Sequence, residues 1–389
     1  MTRSPLLRPT LIPGLPRIWR DRNTLQLGLN PAQAVLIDLP DPRAARVLDL
    51  LDGSRPERVV LADATEHGVA PLDACELLET LREAGLVLAA PSLLPSSLAE
   101  DARARLSGEA AALALHRTAE LRAPHPSPAR QAEQATPDDE SGPTTPAQIL
   151  RRRGSARVVV AGRGRLGAGV AVALAEAGVR HVYPDQAGAV GLAELSGGPL
   201  RTTDVGRPRG DAVTDAIIRA APQTQTHPVR RIAPSLIIQL GYDQPVALLA
   251  ASHARRRQPH LAAAIREGTA IVGPLVTRAG APCLNCVDLH RRDRDPGWPE
   301  LSAQVGGGAP EPCAVATVLA ATAFVTAEAL AFLDGGVPET LGAAVEITAP
   351  GRFRRRTWPA HPGCDCGRRS PELSGPLVRH APNWSDSGG

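Results

Sequence analysis

The chain has 389 residues, of which 43% are hydrophobic and only 2% are aromatic, so aliphatic side chains must fill its cores. Its formal net charge of +3 is too small to indicate a nucleic-acid partner, and so few aromatic residues provide no stacking surface for bases. Lysine does not occur, which excludes both a Walker-type phosphate-binding lysine and a Schiff-base lysine. The length is sufficient for two domains.

Residues 1–100 are predicted to form a small α+β domain. Strands are expected over 24–29 and 34–39, helices over 42–51, 59–66 and 71–84, and a closing strand over 86–88. Apolar residues recur every three positions in the third helix, which predicts that they share its buried face. These residues are Leu72, Cys75, Leu78 and Leu81. The order of elements resembles a winged helix.

A linker is predicted over residues 101–150. A helix is expected to continue from 102 to 121, but prolines at 124, 126 and 128 and the polar run 136–143 cannot build a core. At the other end of the chain, residues 376–389 are expected to form a flexible tail.

Residues 151–375 alternate between strand and helix patterns. A buried strand is expected over 157–161, a helix over 164–177, a strand over 179–183, a helix over 212–220 and a strand over 235–240. This alternation predicts a doubly wound, Rossmann-like α/β domain with a parallel sheet.

A glycine-rich turn lies between the first strand and helix of this domain. Gly162, Gly164 and Gly167 form a G-x-G-x-x-G pattern, which permits a tight turn and close approach of a phosphate to a helix N-terminus. Asp185 follows Gly162 by 23 residues, where an acidic side chain would meet a ribose hydroxyl. The pattern predicts the fold, and leaves open whether a nucleotide binds or the fold serves as a scaffold.

Four cysteines form two close pairs that are far apart in the chain. Cys283 and Cys286 form C-x-x-C, and Cys364 and Cys366 form C-x-C. Such pairs suit a closed tetrahedral Zn²⁺ site better than they suit buried reduced thiols. Of the other cysteines, Cys75 is expected in a core. Cys313 begins a long helix, as a buried thiol or, alternatively, as a nucleophile.

Acidic and histidine side chains follow the first cysteine pair. Asp288, His290, Asp293 and Asp295 could form a second metal site, but the arginines between them favour a surface with ion pairs. His361 is expected to orient the loop of the second pair rather than to bind metal.

The segment 314–333 is long and apolar enough to span a bilayer, but its alanine and threonine content favours a buried helix. The N-terminus lacks an apolar signal core, and six cysteines do not form the pattern of a secreted disulfide framework. The sequence therefore predicts a cytoplasmic protein without a membrane partner.

Residues 156 to about 370 resemble the ThiF/MoeB superfamily, which has the fold of ubiquitin-activating enzymes. The similar segments are GRGRLG at 162–167, DVGRPR at 204–209, GPLV at 273–276 and the two cysteine pairs. The segments at 281–291, 293–299 and 358–366 are similar to an actinobacterial branch that is grouped with cyclodehydratase ThiF-like proteins. The N-terminal part, with LIPGLPRIWR at 11–20, is similar to a winged helix that binds leader peptides.

This resemblance implies a scaffold that binds the leader of a ribosomal peptide precursor. The N-terminal domain would bind the leader as an added strand, and the zinc-containing ThiF-like domain would form a homodimer and present the precursor to a partner ATP-using cyclodehydratase. The candidate walls of the leader site are Leu25, Leu27, Val35, Ile37 and the helix 71–84.

The ATP-binding residues of the superfamily are only partly present. Arg207 and Arg209 stand where ATP-using members have a lysine, residues 191–198 lack the usual arginine, and Asp243 is the single carboxylate at the expected magnesium position. ATP hydrolysis is therefore expected to be absent or slow. Two alternatives remain: an ATP- and Mg²⁺-dependent adenylyltransferase that activates a peptide or carrier C-terminus, and a degenerate fold that serves only in assembly.

Overall fold

The computed structural model describes residues 5–367 except 32, 123–143, 242–245, 279, 281 and 305–310. Five short strands lie in the N-terminal part: β1 (Pro9–Leu11), β2 (Arg17–Trp19), β3 (Thr24–Leu27), β4 (Val35–Asp38) and β5 (Val87–Ala89). Strands β2, β3 and β4 form an antiparallel sheet in that order, whereas β1 pairs with β5. The predicted hairpin is confirmed, with shorter strands.

Helices pack around these strands. They are α1 (Val47–Leu50, which continues a 3-10 turn over Pro42–Arg46), α2 (Glu57–Glu66), α3 (Pro71–Glu83), α4 (Ala90–Leu93) and α5 (Glu100–Arg122). The predicted buried face of α3 is wrong in part, since Leu72 is 76% exposed and Cys75 is also exposed. The buried residues follow the 3.6-residue period of a helix instead of a three-residue repeat. They are Ala74, Leu77, Leu78 and Leu81.

The N-terminal core extends into the region that we assigned to a linker. Helix α5 contributes Leu106, Ala110 and Ala114 to this core, and Leu150 joins it from helix α6 (Pro146–Ser155). Alanine and leucine at helical spacing give these segments an apolar face to bury, which the proline-rich segment between them lacks. That proline-rich segment lies outside the described residues.

A seven-stranded mixed sheet forms the C-terminal part, in the order β12-β11-β10-β9-β8-β6-β7. Its strands are β6 (Arg157–Ala161), β7 (His181–Asp185), β8 (Leu236–Gln239), β9 (His260–Arg266), β10 (Thr269–Val276), β11 (Ala343–Ala349) and β12 (Arg352–Thr357). Strands β7, β6, β8 and β9 are parallel, whereas β9 to β12 pair antiparallel. The predicted parallel sheet therefore forms one half of a larger mixed sheet.

Helices connect the strands of this sheet. They are α7 (Leu166–Glu176), α8 (Arg209–Ala220), α9 (Val246–Arg255), α10 (Leu284–Arg294), α11 (Trp298–Gln304) and α12 (Val315–Asp334). Helix α12 is long and apolar enough to cross a membrane by length and composition. It packs against α7, β10 and β11, and its one charged residue before Asp334, Glu328, is buried and accepts hydrogen bonds from the backbone of Glu339 and Thr340. One face of this helix therefore lies in the C-terminal core, through Val318, Ala321, Val325 and Ala329, while 39% of its apolar window is buried.

A buried arginine joins three helices where the N-terminal and C-terminal cores meet. Arg153 of α6 is 3% exposed and makes a two-point ion pair with Asp334 at the end of α12. The same guanidinium binds Glu109 of α5 and the carbonyl of Ala177. All three guanidinium nitrogens of Arg153 therefore have acceptors, which makes the cluster sensitive to the loss of any member.

Two stacked histidines make the free energy of unfolding depend on pH. His253 of α9 and His260 of β9 are buried with ring centroids 4.3 Å apart. Burial, helped by His260 and Arg256, lowers the pKa of His253 from 6.5 to about 4, and burial also lowers the pKa of His260. Between pH 6.5 and about 4 the unfolded chain binds more protons than the native chain, so stability falls as the pH falls through this window.

We expect His253 to lower the free energy of unfolding by about 3 kcal/mol between pH 7 and pH 4. His253→Phe should keep the ring and reduce the pH dependence, whereas His116→Phe, at an exposed site, should leave it unchanged. Urea unfolding at each pH measures the effect. An equal pH dependence in the wild type and His253→Phe would contradict the assignment.

Candidate functional site

The carboxyl ends of three parallel strands meet at one edge of the sheet. Strand β6 lies between β7 and β8, so successive connections run to opposite sides of β6. Open α/β sheets bind ligands at such a point, beyond the carboxyl ends of the strands. Backbone hydrogen bonds link the segments that follow these strands. Gly162 N donates to Asp185 O at 3.1 Å, and Arg163 N donates to Gly241 O at 2.9 Å.

Close packing or a positive φ favours glycine at all three positions of the turn. A Cβ on Gly162, whose φ is +95°, would lie 2.5 Å from Gly241 O, and one on Gly167 would lie 2.4 Å from Gln186 Nε2. Gly164 has a φ of +145°, and a Cβ there would lie 3.1 Å from Glu311 Oε1. The contact with backbone excludes a side chain at Gly162, and the positive φ disfavours one at Gly164. A side chain at Gly167 would require Gln186 and Leu240 to move.

A carboxylate from a distant segment lies at the start of helix α7. Arg165 N donates to Glu311 Oε2 at 2.8 Å, and Arg165 Nη1 donates to the carbonyls of Glu311 and Cys313. Burial raises the pKa of Glu311, while the hydrogen bond from Arg165 opposes this rise. Sequence reasoning missed Glu311, because it lies 146 residues from Arg165 and no local pattern marks it.

Asp185, the predicted ribose-binding residue, lies at the end of β7 and has an exposed side chain. Burial, with Asp185 beside it, raises the pKa of Tyr183 on the same strand. Gln186 follows, and it is only 7% exposed. Its Nε2 has no hydrogen-bond partner among the described residues. The cleft therefore combines one exposed acid with one buried amide donor.

The predicted phosphate-binding arginines are engaged elsewhere. Arg207 binds Asp204 at 2.8 Å and Asp215 at 2.6 Å. Arg209 is paired with Glu194, with Nε to Oε2 at 2.7 Å. Each charge is thus neutralised by a carboxylate, which reduces its attraction for a phosphate. The predicted magnesium ligand, Asp243, lies outside the described residues.

The four predicted cysteines form one cluster whose sulfur atoms all lie within 4.8 Å of one another. The Sγ distances are 3.9 Å for Cys283–Cys286, 3.6 Å for Cys283–Cys364 and 3.3 Å for Cys286–Cys366. Tetrahedral Zn–S bonds of about 2.3 Å would place the sulfurs roughly 3.8 Å apart. The cluster therefore fits a four-coordinate metal, and it joins the start of α10 to the loop after β12.

The electrostatics of this cluster favour a bound cation. Burial raises the pKa of Cys283 to about 12 and also raises the pKa of Cys366. Burial likewise opposes ionisation of Cys364, but hydrogen bonds from Cys366 N and the Asn285 side chain lower its pKa to about 7. A metal ion would supply the positive charge that several buried thiolates need.

Histidine contacts secure the same loop. His361 Nε2 and Asp293 Oδ2 are 2.8 Å apart, and Gly363 N donates to His361 Nδ1. His290 Nε2 binds the carbonyl of Pro359. These bonds occupy both ring nitrogens of His361, and ligand atoms of His290, Asp293 and His361 lie within 4.8 Å of one another. The role of His361 in orienting the loop therefore stays a prediction.

The remaining side chains of this region have local partners. Asp288 accepts a hydrogen bond from Trp298 Nε1, and Asp295 accepts one from Gly297 N. Cys313 Sγ lies 3.5 Å from Gly268 O, and burial raises the pKa of Cys313. A raised pKa leaves little thiolate at neutral pH, so the structure favours a structural thiol over a nucleophile at this position.

No family model matches this sequence, and no curated protein matches it either. Solved structures are similar to it over nearly the whole chain. One is E. coli MccB with succinimide, with a TM-score of 0.56, 14% identity, and coverage of 93% of this chain and 99% of MccB. Another is the microcin C7 biosynthetic enzyme MccB with N-formylated MccA, with a TM-score of 0.56, 15% identity and coverage of 92% and 99%.

PaaA is similar to the same extent, with a TM-score of 0.56, 16% identity, and coverage of 89% of this chain and 98% of PaaA. The similarities cover 89–93% of this chain. At these identities they establish architecture rather than activity. The chain therefore has a ThiF/MoeB-like fold, with an α+β domain before the Rossmann-like domain.

Proposed function

We propose that this protein is a ThiF-like scaffold that binds the leader of a ribosomal peptide precursor. Its N-terminal domain binds the leader, and the ThiF-like domain, as a cytoplasmic homodimer, presents the precursor to a partner ATP-using cyclodehydratase. The observation that carries this proposal is an edge of the three-stranded N-terminal sheet that pairs with no further strand among the described residues. Strand β4 lies at that edge, and its residues alternate in burial.

The edge strand narrows the candidate leader site. Leu25, Leu27 and Ile37 are buried in the N-terminal core, so they are removed from the candidate walls. Leu36 points to the opposite face of the sheet and is 52% exposed, and Val35 is only partly buried. An extended peptide added along β4 would satisfy its outer backbone groups and cover these apolar side chains.

The structural neighbours support a peptide as the ligand. MccB has been solved with MccA and, separately, with ATP. The ATP complex also supports the alternative function, an adenylyltransferase that activates a peptide or carrier C-terminus. The ion pairs of Arg207 and Arg209 favour the scaffold, because both charges are already neutralised. Pyrophosphate exchange separates the two functions: the scaffold shows none, whereas the adenylyltransferase exchanges label into ATP.

The cysteine cluster serves this scaffold as a structural Zn²⁺ site. All four ligands are cysteine sulfurs, so no coordination position remains for water or substrate. The metal would fix the segment after β12 to helix α10 and so stabilise the ThiF-like domain.

We expect Leu36→Glu to weaken leader binding at least tenfold, because it places a charge beside the added strand, where an apolar contact would otherwise form. Leader affinity of the wild type should be micromolar or better, about 8 kcal/mol, which a short strand with a few anchors can supply. Anisotropy of a labelled leader peptide encoded beside this gene measures both. Leu319→Glu, at an exposed position of α12, is the matched control. Equal affinity of Leu36→Glu and the control would refute this binding edge.

A further inference from the structure

The start of helix α7 already holds an anion, which belongs to the chain itself. Glu311 Oε2 accepts a 2.8 Å hydrogen bond from the N–H of Arg165, directly before the helix begins at Leu166. A free N–H and the positive end of the helix dipole are the features that bind phosphate in glycine-rich turns. The carboxylate therefore lies where a phosphate oxygen would lie.

The carboxylate is held firmly against the turn. A Cβ placed on Gly164 would lie 3.1 and 3.3 Å from its two oxygens, so the carboxylate covers the middle glycine. The Arg165 guanidinium binds the carbonyls of Glu311 and Cys313, which fixes the backbone that carries the carboxylate. Arg165 of the glycine-rich turn thus binds both the carboxylate and the backbone carbonyl of Glu311.

A second, independent feature of the turn offers a hydrogen-bond donor for a ligand. The Gln186 side chain is buried, and its Nε2 donor has no partner among the described residues. This nitrogen lies 2.4 Å from where a Cβ on Gly167 would be, so it is directed at the first turn of α7. A buried amide donor without an acceptor costs about 1–3 kcal/mol, and a phosphate oxygen is a suitable acceptor.

We propose that Glu311 is an autoinhibitory occupant of this cradle, which excludes the phosphates of a nucleotide from the glycine-rich turn. A phosphate that entered would have to displace the carboxylate or lie against a like charge in a partly buried cleft. The protein therefore keeps the shape of a nucleotide site and blocks it with its own side chain. Displacement of Glu311 would convert the scaffold into a nucleotide-binding form.

Titration of the full chain with MgATP by calorimetry tests this assignment. Glu311→Gln keeps the size of the side chain and an acceptor for Arg165 N but removes the charge, and Glu311→Ala removes the acceptor as well. We expect the Kd for MgATP to fall at least tenfold in Glu311→Gln relative to the wild type, and further in Glu311→Ala. Glu300→Gln, which removes an exposed carboxylate of α11, is the control and should leave the Kd unchanged.

Thermal unfolding of each variant establishes that it is folded, and Glu311→Gln alone carries the test if Glu311→Ala does not fold. The assignment is refuted if folded Glu311→Gln binds MgATP no tighter than the wild type, or if Glu300→Gln gains as much. Leader affinity is measured in parallel. It should be the same in the wild type and Glu311→Gln, so failure of this inference is distinct from failure of the proposed leader binding.

Discussion

Cys364→Ser should lose its metal and unfold its ThiF-like domain at a lower temperature than the wild type. The purified wild type should carry about one Zn²⁺ per chain, because four sulfurs already lie at tetrahedral spacing. Serine cannot supply a soft thiolate, and the remaining buried thiols would lose the cation that stabilises their charge. Since structural zinc contributes on the order of 10 kcal/mol in small zinc domains, the loss of one ligand should have a large effect.

Metal analysis by mass spectrometry and thermal unfolding measure the two effects. Cys75→Ser is the matched control, because Cys75 is exposed and lies far from the cluster in sequence. It should keep both the zinc and the stability of the wild type. Wild-type protein without zinc after purification from zinc-supplemented medium, or full zinc retention in Cys364→Ser, would be incompatible with this site.

Arg153→Met should lower the free energy of unfolding by about 3 kcal/mol or more. The substitution leaves the carboxylates of Asp334 and Glu109 and the carbonyl of Ala177 without their common donor. Methionine fills part of the volume, so the loss arises from the unpaired charges rather than from a cavity. Because these partners belong to different cores, the variant should also weaken the contact between the N-terminal and C-terminal parts.

Urea unfolding of the full chain measures this change. Arg151→Met, two residues earlier and exposed, should alter the free energy by no more than about 0.5 kcal/mol. The triple variant that adds Asp334→Asn and Glu109→Gln should recover part of the loss, since it removes the unpaired charges. If Arg153→Met is as stable as Arg151→Met, the cluster does not hold the two cores together.

Local spacing made the two central features of the site predictable. A C-x-x-C at a helix start brings its own two sulfurs together in any fold, and so does a C-x-C in a tight turn. The glycine pattern was equally informative, because it lies between a strand and a helix, although the atoms that pack against the glycines come from distant segments. Glu311 was not predictable, since its contact with Arg165 depends on the path of the whole domain.

The errors in the sequence interpretation have physical causes. A three-residue repeat placed Cys75 in the core of α3, whereas the actual buried stripe follows the 3.6-residue period through Ala74 and Leu77. The flanks of the predicted linker form helices, because apolar residues such as Leu106 and Leu150 find a core to join. Arg207 binds Asp204 of its own motif and Asp215 of the following helix, and Arg209 binds Glu194 of an earlier turn. These contacts depend on the fold, so the motif alone did not reveal that the two charges are neutralised.

Hydrogen exchange of the full chain with and without a leader peptide tests the central proposal most directly. An added strand would give the backbone N–H groups of the edge strand Val35–Asp38 hydrogen-bond partners and slow their exchange. We expect new protection over 34–39 in the wild type and its loss in Leu36→Glu. Protection confined to 156–367, with unchanged exchange at the edge strand, would contradict leader binding by the N-terminal domain.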